Sequence, residues 1–133
     1  MILLNILINN SISVADENNT IYVDDDNTNG PWEGTIDHPF QSVQDAIDFA
    51  NEGDTIFVHN GEYLENIRIN KSSIDLQGES KHTTIIDGIG SSRVIYIIGS
   101  WISISNFTIT NCSDSGIGIQ MGGFPFLYTH HIK

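Results

Sequence analysis

The sequence predicts an all-β chain wound as a right-handed parallel β-helix of about two to three coils, with an N-terminal amphipathic capping helix. Three observations predict it. The 133 residues hold 23 Ile against 6 Leu, with 13 Asn and 12 Gly, so β-branched bulk is punctuated by turn formers. Past Gly53 the apolar residues fall in short couples separated by one polar residue, the period of a strand. Those couples recur at fixed offsets, the signature of a repeat architecture. Adding 28 to Ile67, Ile69, Ile74 and Leu76 gives Ile95, Ile97, Ile102 and Ile104, and adding 22 to Ile95 and Ile97 gives Ile117 and Ile119. The rival, an antiparallel sandwich, predicts two-residue Asn-Gly or Asp-Gly hairpins between couples, and only Asp87-Gly88 qualifies.

The chain opens on an apolar stretch, residues 2–8, and Ser13-Val14-Ala15 has the small-x-small pattern of a signal-peptidase site. Residues 1–15 are therefore expected to be a truncated signal segment, although no Lys or Arg precedes the apolar stretch. Residues 16–121 form the capped domain, and residues 122–133 an atypical aromatic tail, either a last strand or a truncation. The same offset of 22 carries Ile102 and Ile104 onto Phe124 and Phe126, so the strand reading of the tail begins there.

An acidic loop follows the first apolar residues of the domain. Asp25, Asn27 and Asn29, with Gly30, match the first half of a calcium loop, in which hard oxygen ligands stand at alternate positions. These three are the candidate metal ligands and Ca²⁺ the candidate ion. The second half of the motif is absent, since the twelfth position is Ile36 rather than Glu, and a solvated Asx-rich turn is the alternative. The helix is expected over residues 42–51. Val43, Ala46, Ile47 and Ala50 form one stripe of a 3.6-residue period, Ser42 with Asp45 makes a capping pattern, and Gly53 follows as a stop. So short a helix cannot stand alone and must lie on something flat. A solenoid exposes core at its ends, and this stripe is suited to plug one.

Ile56-Phe57-Val58 starts the strands, and the couples Ile67/Ile69, Ile74/Leu76, Ile95/Ile97, Ile102/Ile104, Phe107/Ile109 and Ile117/Ile119 continue them. Each couple is one face of a strand of three to five residues. The outward residues between them are Arg68, Tyr96 and Gly118 on one stack, and Asp75, Ser103 and Pro125 on the other. Neither column holds the two carboxylates that glycoside cleavage requires. Asp87 and Arg93 are expected in turns. Trp32, Trp101, Tyr63 and Tyr96 are read either as a sugar-stacking surface or as cover for a small core, with Trp101 assigned to packing.

The segments Tyr22-Val23-Asp24-Asp25-Asp26-Asn27, Pro39-Phe40-Gln41-Ser42-Val43-Gln44-Asp45-Ala46-Ile47, Gly53-Asp54-Thr55-Ile56-Phe57-Val58, Gly61-Glu62-Tyr63 and Thr84-Ile85-Ile86-Asp87-Gly88 together resemble a known pattern. It is that of the N-terminal portion of right-handed parallel β-helix proteins of the pectin-lyase-like superfamily, and more narrowly of secreted prokaryotic surface and periplasmic β-helix repeat proteins. The resemblance covers roughly residues 21 to 120 and implies the fold. It does not imply one activity, because lyases, hydrolases, esterases and non-catalytic repeats share that fold.

Charge narrows the partners. Seventeen acids against five Lys plus Arg leave a net charge of −12, unsuited to a nucleic-acid backbone or an anionic membrane surface. No run of 18 apolar residues is present for membrane insertion. The single Cys112 excludes an internal disulfide. The expectation is a secreted or cell-surface, non-catalytic β-helix module. It would be a surface or adhesion scaffold that binds carbohydrate or a cell-surface protein, as a fragment of a longer protein. The alternative is the N-terminal piece of a polysaccharide lyase or glycoside hydrolase whose active coils lie elsewhere. Self-association through an exposed C-terminal coil is also expected.

Overall fold

The computed structural model describes residues 19–114, 116–119 and 127–130. Residues 1–15, Phe124, Pro125 and Phe126 lie outside them, so the signal-segment expectation and the outward place given to Pro125 do too. The strands are β1 (Thr20–Val23), β2 (Thr55–Val58), β3 (Gly61–Leu64), β4 (Ile67–Ile69), β5 (Asp75–Gly78), β6 (Thr84–Asp87), β7 (Ile95–Ile97), β8 (Ile102–Ser105), β9 (Thr108–Thr110), β10 (Ile117–Ile119) and β11 (Leu127–His130). The helix α1 spans Val43–Phe49.

Three parallel sheets form the walls. The first runs β1-β2-β5-β8-β11, the second β3-β6-β9 and the third β4-β7-β10. Three successive coils, β2-β3-β4, β5-β6-β7 and β8-β9-β10, each contribute one strand to each wall, and β1 and β11 extend the first sheet at its two ends. The expected couples stack as the offsets demand: Ile67, Ile95 and Ile117 are partners, as are Ile69, Ile97 and Ile119, and Leu76 pairs with Ile104. Inside, Ile69, Leu76, Ile86, Ile95 and Ile104 are fully buried. Each such side chain contributes roughly 1.5–3 kcal/mol of burial.

Two expectations are corrected. The offset of 22 does not carry the first sheet forward, because β11 pairs Leu127 with Ile102 and Thr129 with Ile104, an offset of 25. The connection from β10 to β11 is three residues longer than that from β7 to β8, so the strand starts later. Asp87 is the last residue of β6 rather than a turn residue. Its Oδ1 accepts from the Ile89 amide at 2.7 Å and from Asn111 Nδ2, one coil on, at 3.0 Å.

The second sheet was not legible as a stack. Its inward columns are Gly61, Thr84 and Phe107, then Tyr63, Ile86 and Ile109. Its coil-to-coil offset is a constant 23.

The helix forms where expected, one turn shorter. Ser42 is its N-cap, and its Oγ accepts from the Asp45 amide at 3.3 Å. Val43, Ala46, Ile47 and Ala50 are buried in the common core. A left-handed corner precedes β2, β5 and β8. Gly53, Ser73 and Trp101 have φ of 97°, 57° and 60°, and the pairing of Thr55, Asp75 and Ser103 puts them at one place in successive coils. The Gly53 amide donates to the Ser73 carbonyl, and the Ser73 amide to the Ser100 carbonyl, both at 2.8 Å. Trp101, expected to pack, is 61% exposed at this corner. The left-handed backbone carries its side chain away from the core.

The N-terminal edges of the three sheets are treated differently. On the first, the loop before α1 lies along β1: Tyr22 N–H donates to the Gly34 carbonyl and Phe40 N–H to the Tyr22 carbonyl, both at 2.9 Å. Gly34 has φ 76°, and a Cβ there would stand 2.8 Å from the Phe40 ring, so only glycine closes that edge. On the third, the carboxamide of Gln44 acts as a strand. Its Oε1 accepts from Arg68 N–H at 2.7 Å and its Nε2 donates to the Arg68 carbonyl at 3.1 Å. Glu65 and Lys71, on either side of β4, hold the two ends of α1. Glu65 accepts from Ser42 Oγ and from the amides of Val43 and Gln44 at 2.9–3.1 Å. Lys71 Nζ donates to the carbonyls of Asp48, at 2.6 Å, and Ala50. Both charges suit the helix dipole.

Candidate functional site

The N-terminal edge of the second sheet is left as a groove. In a parallel strand, alternate residues turn both backbone groups to the same side. Gly61 N–H donates to the Thr83 carbonyl and Glu65 N–H to the Asp87 carbonyl, so residues 61, 63 and 65 face β6. Glu62 and Leu64 therefore face the edge. Asp25 covers part of it, its Oδ2 accepting from Glu62 N–H at 3.2 Å. A Cβ on Gly61 would stand 2.2 Å from Asp25 Oδ1, so glycine is what lets the carboxylate reach the edge. Leu64 N–H and the carbonyls of Glu62 and Leu64 have no partner among the described residues.

Over this edge lies an open cavity of about 340 Å³, bounded by Asp25, Trp32, Asp45, Glu62, Leu64 and Glu65. Trp32 is 51% exposed and Leu64 62%. The indole is fixed by its Nε1–H, which donates to the Asn27 carbonyl at 2.9 Å. Below the groove Tyr63 is buried, and its hydroxyl donates to the His59 carbonyl at 3.0 Å. Burial first, and then the nearby charge of Asp25, push that phenol well above its ordinary range, so it stays a neutral donor.

The three calcium candidates fall in the loop that forms one wall. Asp25 is turned to the β3 edge. Asn27 Nδ2 donates to the carbonyls of Pro39, at 2.7 Å, and Pro31, at 3.2 Å, which ties the loop to the strand leading into α1. Asn29 is exposed. Asp25 and Asn27 thus hold the loop in shape, and among the described residues no three His, Cys, Asp or Glu side chains are grouped to hold a metal ion.

A second surface is the outer face of the first sheet. One outward column is Tyr22, Phe57, Gln77 and Ser105, and the next is Thr20, Thr55, Asp75 and Ser103. Tyr22 meets Phe57 edge-on at 6.1 Å between ring centroids, and the His59 ring stacks on Tyr22 at 6.2 Å. His59 Nδ1 lies 3.2 Å from Glu79 Oε2, which also accepts from the Asn60 amide at 3.0 Å. The Asn60 amide, and then His59, hold the Glu79 carboxyl below its ordinary value. Gln77 Nε2 donates to Asp75 Oδ2, while Asp75 Oδ1 is buried without a partner among the described residues. The sequence placed Asp75 and Ser103 in one outward column, and the structure agrees. It adds the aromatic cluster, which the alternation of Tyr22 with Ile21 and Val23 could have revealed. On the third sheet Arg68, Tyr96 and Gly118 are register partners, as expected, and the Arg93 guanidinium lies 5.6 Å from the Tyr96 ring centroid.

No family model matches the chain. Over 75 residues it is 40% identical to pectate lyase PEL9 of Emericella nidulans, an alignment taking in 51% of this chain and 18% of that protein. Its fold matches that of a pectin methylesterase variant crystallised with a hexasaccharide, with a TM-score of 0.53 and 24% identity over 66% of this chain and 29% of the other. The chain thus spans less than a third of either. Its fold is a parallel β-helix.

Proposed function

We propose that the chain is a carbohydrate-binding β-helix module acting outside the cell, with the outer face of the first sheet as its binding surface. One observation carries this reading: the Tyr22–Phe57–His59 cluster stands beside in-register hydroxyl, amide and carboxylate side chains on one flat wall. Aromatic faces stack on the apolar sides of sugar rings, and hydrogen-bonding groups at the coil spacing of about 4.8 Å meet their hydroxyls. The non-catalytic character is supported by the outer columns, where Asp75, Glu62 and Asp87 each stand as the one carboxylate of a column. The apolar stretch at residues 2–8 with Ser13-Val14-Ala15 supports export.

Titration calorimetry with neutral and uronic oligosaccharides tests it. The expected result is binding that falls at least about tenfold, or 1.4 kcal/mol, in Tyr22→Ala with Phe57→Ala, both outside the core. No binding of any oligosaccharide at millimolar concentration, or unchanged affinity in the double variant, overturns it.

A second reading makes the chain the first coils of a pectate-cleaving enzyme, and its likeness to a pectate lyase favours it. Release of unsaturated sugar ends from polygalacturonate by this chain would put it first.

A further inference from the structure

The free edge of β3 is the one N-terminal edge among the described residues that no strand, loop backbone or helix side chain closes along its length. A loop backbone occupies the preceding position on the first sheet, and the Gln44 carboxamide does so on the third. On the second, a single Asp25 oxygen meets Glu62 N–H, and two residues further on Leu64 presents both backbone groups to the cavity. We propose that this groove docks an extended, lysine- or arginine-bearing segment of another protein, which adds to the second sheet as a strand ahead of β3.

The geometry and the charge each point to that occupant. A peptide backbone supplies an acceptor for Leu64 N–H and donors for the Glu62 and Leu64 carbonyls at the spacing of a strand, which is how exposed edges recruit peptides. Outward side chains of the docked strand would lie beside Glu62 and Leu64. A cation there meets Glu62, with Asp45 and Asp25 on the facing wall, and no Lys or Arg lines the cavity. An apolar neighbour meets Leu64 and the edge of Trp32, both exposed. The net charge of −12 favours the approach of a basic segment and repels an acidic one. This surface belongs to a different sheet from the saccharide face, so either proposal can fail without the other.

The probe is a short synthetic peptide of alternating lysine and valine, titrated into the intact chain while amide exchange is followed residue by residue. The peptide is expected to bind and to slow exchange of Leu64 N–H at least about tenfold, with Arg68 N–H, already paired, unchanged. Binding is expected to weaken about tenfold in Glu62→Lys with Asp45→Lys, both exposed substitutions. A version with glutamate in place of lysine, or with its edge-facing amides methylated, is expected not to bind. Equal affinity for the glutamate peptide overturns the proposal, and so does binding that leaves Leu64 unprotected. Protection of Leu64 by a neutral oligosaccharide, or by self-association that the peptide does not displace, assigns the groove elsewhere and equally overturns it.

Discussion

The second and third sheets present the same chemistry at their N-terminal ends, a short strand with one side of its backbone unpaired, and they resolve it differently. On the third, the Gln44 carboxamide completes the hydrogen bonds of Arg68, and α1 is held over the edge by Glu65 and Lys71. On the second, Asp25 satisfies only the Glu62 N–H, and Leu64 faces an open cavity. Exposed edges are liabilities that proteins usually cover or blunt. The contrast teaches that one end of this solenoid carries both a sealed edge and an accessible one, a few residues apart on the same chain.

The contrast breaks most severely if the helix is removed from its bed. Ile47→Ala, at a fully buried position, is expected to cost about 2–5 kcal/mol. Chemical denaturation should show that loss, and Arg68 N–H should then exchange as freely as Leu64 N–H. Next comes the clamp at the N-terminal end of α1. Glu65→Ala removes the acceptor for two amides and a hydroxyl and is expected to cost about 2 kcal/mol, while Glu65→Gln recovers part of it. Melting curves of the two variants check the order. Gln44→Ala is the sharpest test of strand mimicry. A cost of about 1 kcal/mol is expected, with faster exchange confined to Arg68, and unchanged exchange there would show that the carboxamide does not seal the edge.

The smallest effect lies away from both edges. The Glu79 carboxyl is held below its ordinary value of 4.5, so its bonds to Asn60 and His59 add stability above that pH. That contribution is lost as pH falls through the lowered folded-state value. The carboxylate is exposed to solvent, so the loss is slight, and Glu79→Gln should flatten that part of a melting-temperature profile without moving the rest.

Much of this architecture was legible because apolar couples, mostly isoleucine, recur along two of the three walls. Ile67, Ile95 and Ile117 are chemically identical, so their stack shows directly in the letters. The second wall stayed hidden because Tyr63 heads the column of Ile86 and Ile109, and a Gly, a Thr and a Phe share the other, so no couple repeats from coil to coil. A search for recurring alternation at an offset of 23, blind to residue type, would have found it. The tail strand starts three residues later than the couples predict, a difference in connection length that their spacing does not record. The groove was less legible still. Asp25 was singled out for its oxygen-rich loop, yet its partner Glu62 lies 37 residues away, and Leu64 looks in sequence like any other apolar strand residue.

The left-handed corner at Gly53, Ser73 and Trp101 has a further consequence for how the coils align. Ile95 and Ile97 are interchangeable to the core, so sliding one coil by two residues along its neighbour would lose little burial. A slide toward the strands would also carry the left-handed position onto Thr55, Asp75 or Ser103, residues of the ladder itself, at roughly 1–2 kcal/mol. The corner therefore works as an index notch, opposing slippage in that direction in a stack whose hydrophobic lettering is nearly degenerate.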